Sequence, residues 1–336
     1  MTNKELAKIT GVSPATVSIV LNNKGGVGEE TRARVLQAAK ENGYSINKSN
    51  RKKMKGVLLL KYWGSGMIVE ENQSFVSTII DAISSELFLH NHRLTMHIVK
   101  DSLREALKEI DFDSFCSAIV VATEITRELY EVLDQIPIPY VMVDNAVFGV
   151  NCNSVSIDNS SNVYIALAYL KENGHKQIGY LRSSTMIENF AERSEAFSKW
   201  TKVLGFDFVE QAQFFLTPTL EGAYKDMCIE LKSGMALPTC LYADNDTIAI
   251  GAIKALKEHG YRVPGDVSVI AMDDIPFASV NSPALTTVRV QKEMIGQIAV
   301  SQLFTLLNNP AYGNVKTRIS GTLIVRSSVL NLLNQG

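Results

Sequence analysis

The chain has 336 residues, 46% of them apolar and 20% charged, enough apolar mass for two or three buried cores. No run of about 18 apolar residues occurs, and no apolar leader follows Met1, so neither a membrane span nor a secretory signal is expected. Cys116, Cys152, Cys228 and Cys240 are scattered without C-x-x-C spacing; the expectation is a soluble, cytoplasmic protein with buried free thiols at Cys116 and Cys228. The net charge of −2 conceals an asymmetry. Residues 1–55 carry eleven Lys and Arg against four Glu, a net +7, which leaves −9 on the remaining 281 residues. A basic head on an acidic body is an electrostatic footprint for phosphates at one end only.

The first elements are two short helices around a tight turn in residues 5–23. Leu6, Ala7, Ile9 and Val12 supply one apolar stripe, and Val17, Val20 and Leu21 the other, at i, i+3, i+4 spacing. Gly11 falls at the turn, where a residue without a Cβ penalty is needed. Ser13 suits the N-cap of the second helix and Pro14 its first helical position. This is a helix-turn-helix pattern, whose second helix would offer its first residues to base edges in the DNA major groove. A third helix follows, with Glu29 and Glu30 in its first turn, Val35, Leu36 and Ala39 on its buried face, and Gly43 at its end. Tyr44 then opens a polar, basic linker that runs to Gly56.

From Val57 onward apolar runs alternate with amphipathic helical stretches. The runs are Val57–Leu60, Leu94–Val99, Ala118–Ala122, Tyr140–Val143, Ile178–Leu181, Cys240–Tyr242, Val267–Ala271 and Leu285–Val290. Between them the spacing predicts helices over Phe75–Leu89, Asn162–Glu172, Ala191–Leu204, Gly222–Lys232, Ile248–His259 and Ile295–Leu307. Continuous apolar strands alternating with helices mean parallel sheets covered on both faces. About 280 residues exceed one such sheet, so the expected class is α/β: a three-helix head followed by two doubly wound parallel lobes.

Ligands of open α/β sheets bind beyond the carboxyl ends of strands. Here those ends carry Asp144-Asn145, Asp158-Asn159, Asp244-Asn245-Asp246 and Asp273-Asp274. Such a set, with Arg193 as a bidentate fork, suits the vicinal hydroxyls of a polyol. The competing reading is that Asp and Asn after strands cap the next helix. Gly64-Ser65-Gly66 lacks the third glycine of a dinucleotide loop. His90, His92 and His97 straddle a helix end and a strand and should diverge, and no phosphate loop or nucleophile context is present. No catalytic machinery, metal or cofactor is expected.

Taken together, these features resemble the lactose/galactose repressor (LacI/GalR) family of bacterial transcription regulators over essentially the whole chain. The most specific segments are Gly11-Val12-Ser13-Pro14-Ala15-Thr16-Val17-Ser18 with Val20-Leu21-Asn22, Gly174-His175, Asn245-Asp246, Asp273-Asp274, and Ser282-Pro283 with Leu285-Thr286-Thr287-Val288. The resemblance implies lobes of periplasmic-binding-protein type, three crossings between them, homodimers on palindromic operators and a small effector between the lobes. It implies a DNA-binding domain at 1–46, a hinge at 47–56, one lobe from 57–158 plus 290–321, and another from 159–289 plus 322–336. Carried over by position, Pro14, Ala15 and Ile19 face base edges, and Thr16, Ser18 and Asn22 face the backbone beside the capping Ser13. Arg193 matches the effector-anchoring arginine, Asn245 and Asp273 match polar effector contacts, and Phe75, Asp144, Asp158 and Gln291 line the same cleft.

Two departures stand out. The base-facing position often held by a polar residue is Ile19, which can touch a thymine methyl but cannot hydrogen-bond. The linker also lacks the family's Ala-x-x-Leu hinge helix; Met54 either wedges into the minor groove or belongs to a flexible, electrostatic tether. Lys48, Arg51, Lys52, Lys53 and Lys55 are then phosphate contacts that make binding salt-sensitive. The expected function is a sugar-responsive repressor that is not an enzyme. The alternatives are a sugar-binding protein of a transport system, an α/β enzyme with a DNA-binding head, or a regulator answering to a nucleobase or a protein corepressor.

Overall fold

Helices of eight residues do not hold in water alone, and the first unit of the chain, Met1–Met54, packs three short helices against one another. A computed structural model describes residues 2–21, 25–42, 56–66, 73–145, 151–234, 236–309 and 311–334. The expected contact positions Asn22, Lys48, Arg51, Lys52, Lys53, Met54 and Lys55, and the expected helix stop Gly43, lie outside these residues. Helix α1 (Asn3–Thr10) starts with a capping box between Thr2 and Glu5 and ends at Gly11, whose φ of 68° is left-handed. Ser13 Oγ accepts the Thr16 N–H at 3.0 Å at the start of α2 (Pro14–Leu21). Helix α3 (Glu29–Glu41) carries Glu29 and Glu30 in its first turn. Leu6, Ala7, Val17, Val20, Val35 and Ala39 form the core. Ile9 and Leu36, expected on buried faces, are respectively 53% and 36% exposed, because a helical stripe wider than the three-helix contact leaves its margin in water.

The second unit, Lys55–Gly336, contains two six-stranded sheets. The first runs β2-β1-β3-β4-β5-β11, from β1 (Gly56–Tyr62), β2 (Leu94–Val99), β3 (Phe115–Val121), β4 (Tyr140–Val143), β5 (Asn153–Ile157) and β11 (Lys316–Ile319). The second runs β7-β6-β8-β9-β10-β12, from β6 (Gln177–Ser183), β7 (Asp207–Leu216), β8 (Cys240–Ala243), β9 (Ser268–Asp273), β10 (Thr286–Arg289) and β12 (Thr322–Ile324). All pairings are parallel except β10 with β12. Each sheet is covered on both faces, which is why the strands read as unbroken apolar runs. In the first, Val57, Leu59, Ile119, Val121 and Val141 face α4 (Gln73–Leu89) and α12 (Lys292–Asn308). Leu58, Leu60, Ala118, Val120 and Met142 face the other side, toward α5 (Leu103–Glu109) and α6 (Tyr130–Leu133). In the second, Leu181, Phe214, Leu241 and Val269 meet α9 (Leu220–Leu231), α10 (Asp246–Glu258) and α11 (Pro276–Val280), while Ile178, Tyr180, Tyr242 and Ile270 meet α7 (Asn159–Glu172) and α8 (Glu188–Val203).

The chain passes from the first sheet's lobe to the second after β5, returns after β10, and crosses again between β11 and β12. Close helix contacts fix both lobes: a Cβ on Gly296 of α12 would come within 2.8 Å of the Ile79 carbonyl of α4. Cys116 and Cys228, expected to be buried, are half-buried, and none of the four cysteines is in a disulfide. No helix among the described residues is long and apolar enough to cross a membrane.

Candidate functional site

The carboxyl ends of both sheets meet at a small cavity lined by Phe75, Thr123, Asp144, Asn189, Arg193 and Asp273, among others. Its volume of about 20 Å³ holds roughly one water. Arg193, on α8, is 2% exposed and spends its fork on three partners: Nε donates to Asn159 Oδ1 at 2.9 Å, Nη1 to the Asp244 carbonyl, and Nη2 to Asp273 Oδ1 at 3.1 Å. Burial works against its charge, but Asp273 and the neighbouring acidic groups outweigh that and hold it protonated.

One turn earlier, Asn189 faces the same way as Arg193, since i and i+4 share a helix face. Its Nδ2 reaches across to the first lobe and donates to both the carbonyl and Oδ1 of Asp144, each at 3.1 Å. Thr123 donates to the other Asp144 oxygen at 2.6 Å. Burial raises the Asp144 carboxyl to about 6, against the pull of Thr123 and Arg193. Asp244 is likewise raised to about 6 by burial, although the Ser183 N–H and the Tyr180 hydroxyl both donate to it. Two ion pairs flank this network between the lobes: Arg127 with Glu188 at 3.1 Å and Arg318 with Glu192 at 2.7 Å.

Backbone strain concentrates here too. Asp144, Asp273 and Asp274 hold positive φ of 60°, 114° and 50°, conformations that cost a non-glycine residue about 1–3 kcal/mol each. Lys292 covers the remaining flank, donating to the Asp273 carbonyl at 2.6 Å with its ammonium 5.5 Å from the Phe75 ring centroid.

Of the residues expected at an effector cleft, Phe75, Asp144, Arg193 and Asp273 come together around this cavity. Asp158, Asn245 and Gln291 do not line it, and each has a structural engagement. Asp158 caps α7 by accepting from Ser161; burial alone would raise its carboxyl, but the bonds from Ser161 and Ser320 bring it below the usual range. Asn245 caps α10 through Ile248 N at 2.9 Å. Gln291 donates to Thr322 Oγ1 at 3.0 Å. For Asp158 and Asn245 the helix-cap reading therefore describes their side chains. Thr123, Asn189 and Phe190 were not anticipated. Asn189 was recoverable from its i, i+4 relation to Arg193, and Thr123 from its place just beyond a strand end.

The glycine-containing turn after β1 is occupied from within the chain: the N–H groups of Ser65 and Gly66 donate to Glu124 Oε2 at 2.7 and 3.1 Å. His90 and His92 pack on the Phe304 ring, and the described residues hold no cluster of three or more metal-ligating side chains.

In the first unit, Pro14 and Ala15 are exposed, and Thr16, Ser18 and Ile19 are half-exposed on the outer side of α2. Thr16 and Ser13 share a hydroxyl hydrogen bond of 2.9 Å.

Residues 2–47 match the family described as bacterial regulatory proteins, lacI family, and residues 167–329 a periplasmic binding protein-like domain. The chain is 33% identical over 309 residues to the HTH-type transcriptional regulator GalS of Salmonella typhimurium, covering 89% of this chain and 88% of that protein. It is 31% identical over 354 residues to the HTH-type transcriptional repressor PurR of Haemophilus influenzae, covering 99% of each. Its fold is similar to that of a lac repressor dimer bound to operator and the anti-inducer ONPF, with a TM-score of 0.77 at 22% identity over 98% of this chain and 99% of the other.

Proposed function

The chain belongs to the lacI family of bacterial regulatory proteins, and on that premise we propose a homodimeric repressor whose grip on a palindromic operator is set by a sugar held between its lobes. The first unit supplies the reader: α2 enters the major groove with Pro14, Ala15 and Ile19 toward base edges and Thr16, Ser18 and Asn22 toward the backbone, with the Ser13 cap at its start. Lys48, Arg51, Lys52, Lys53 and Lys55, which lie outside the described residues, would add phosphate contacts and salt sensitivity, with Met54 either a minor-groove wedge or part of the same linker.

The observation that carries the effector half is the buried Arg193 fork between Asn159, Asp244 and Asp273, beside the Asp144–Asn189 clasp. A polyol needs fixed donors and acceptors for vicinal hydroxyls and apolar walls for its C–H face. Arg193 and Asn189 donate, Asp144, Asp273 and Thr123 accept, and Phe75 and Phe190 form the walls. Asp158, Asn245 and Gln291, the further contacts of this reading, would enter the site only by giving up their present partners. Because the cavity has room for about one water, ligand entry requires the lobes to part. Re-closure on a sugar would then alter the spacing of the two recognition helices, which half-sites about 34 Å apart demand. The two phenylalanines would equally stack on a nucleobase, which is the second reading.

Titration calorimetry of the full chain against neutral sugars, sugar phosphates and nucleobases tests this, followed by operator mobility shifts with each binder. A neutral sugar should bind and change operator affinity by about 5–150-fold, the usual range of such coupling. Binding by nucleobases alone would replace the sugar reading, and absence of operator binding would end the regulatory one.

A further inference from the structure

The second helix of the reader is unusual in its chemistry. Pro14–Leu21 carries no acidic and no basic residue in its first or last turn, and its only polar side chains are the hydroxyls of Thr16 and Ser18. The Thr16 hydroxyl is already bonded to Ser13. The usual hydrogen-bonding readers of base edges are Arg or Lys on guanine, Asn or Gln on adenine, and Asp or Glu on cytosine. Residues 14–21 contain none of them, and Thr16 and Ser18, whose hydroxyls serve any base, are the only hydrogen-bonding side chains there.

What this face does present is hydrocarbon. Val17 and Val20 are buried in the three-helix core, with Leu21 packed against it. Ile19 is half-exposed and takes no place in that core, although a β-branched apolar side chain at the surface gains nothing from water. It lies four residues after Ala15 and five after Pro14, both exposed, so Ala15 and Ile19 are neighbours on one helix face. A contiguous apolar strip on an otherwise cationic head needs an apolar partner on the same duplex whose phosphates the cations hold. The major groove has one such group, the C5-methyl of thymine.

We infer that α2 reads its operator through thymine methyl groups, with Ile19 as the specificity-determining residue and Ala15 beside it. This rests on the proposal that the chain binds an operator, and it commits the base readout by α2 to a single chemistry. An adenine facing Ile19 and Ala15 is read only through the C5-methyl of its paired thymine, and an unmodified G·C pair offers them no methyl at all. Any pyrimidine carrying a C5-methyl should therefore be accepted there.

The test begins by selecting operators with the full chain from a random duplex pool at low salt. Affinities are then measured on the selected operator with thymine replaced by uracil, and separately by cytosine and 5-methylcytosine, at each major-groove position. Loss of one contacted methyl should weaken binding about four-fold, the worth of one buried CH2-sized group. Changing cytosine to 5-methylcytosine at that position should restore about the same factor. In Ile19→Ala, which leaves the helical core intact, the difference between thymine and uracil should fall toward none. If uracil binds as tightly as thymine at every position, or if Ile19→Ala keeps the full difference, methyl reading is overturned while operator binding stands. If the pool yields no selected sequence, both this inference and the operator-binding proposal fail.

Discussion

The guanidinium of Arg193 lies 3.1 Å from the carboxylate of Asp273, and both side chains are only 3% exposed. Removing one member of such a pair strands the other's charge in a dry site. Arg193→Met should cost about 3–5 kcal/mol of unfolding free energy, while Arg193→Met combined with Asp273→Asn, which removes the stranded charge and suits the φ of 114°, should recover part of that loss. Urea unfolding of the three proteins checks this. Equal destabilisation by the single and double variants would mean that the pair is not what Arg193 contributes.

Asp144 makes stability depend on pH in a known direction. An unfolded aspartate titrates near 3.9, whereas burial lifts Asp144 to about 6. Between those values the native state holds a proton that the unfolded chain lacks. Stability therefore falls as pH rises through the window and stays lower above it. Two pH units correspond to about 3 kcal/mol. Asp144→Asn cannot titrate, so its unfolding free energy relative to the natural sequence should rise by up to ~3 kcal/mol between pH 4 and pH 7. A constant difference across that range would mean that Asp144 titrates normally.

Asn189 is the side chain that clasps one lobe to the other at Asp144. Asn189→Ala should leave Asp144 without a cross-lobe donor, at a cost of about 1–3 kcal/mol. Small-angle scattering should show a larger radius for the variant. Arg127→Ala, by contrast, removes a cation that is 66% exposed, and should change stability by less than about 1 kcal/mol. If Arg127→Ala opened the lobes more than Asn189→Ala, the buried clasp would not be the principal tie.

Ser13 satisfies an otherwise orphaned N–H at the start of α2. Ser13→Ala should weaken that helix by about 1 kcal/mol. Amide exchange over residues 14–21 should then be about five-fold faster, with α9 and α10 unaffected. Unchanged protection would place the start of α2 under some other constraint.

The interior of both lobes was legible in the sequence because a strand buried on two faces must be apolar throughout, as Val57–Leu60 and Val267–Ala271 are. The edge strand β2 was still read from its run Leu94–Val99, but the edge strands β7 and β11 gave no such signal. β7 alternates buried Ala212, Phe214 and Leu216 with exposed Glu210, Gln211 and Phe215, and β11 is polar at three of its four positions. Within the site, Phe75, Asp144, Arg193 and Asp273 were legible through residue type, position and resemblance. Asp158 and Asn245 carry the same chemical signature and cap helices, since a cap and a ligand contact both call for a short side chain with an acceptor oxygen. The neutral Thr123 and Asn189 carried only a weaker signal, a place just beyond a strand end and an i, i+4 relation to Arg193, because neither residue type by itself points to a ligand.

β11 ends at Ile319 in one sheet and β12 begins at Thr322 in the other, so Ser320 and Gly321 alone carry that crossing. Ser320 is bonded to Asp158, which stands at the crossing after β5, and Thr322 to Gln291, at the return after β10. Gly321 donates to Asn162 at 2.6 Å, and an added Cβ there would meet the Arg289 carbonyl at 2.5 Å. All three passages are thus stitched into one seam. The halves can swing about it like covers about a spine, but they cannot shear past each other without tearing stitches from every passage at once.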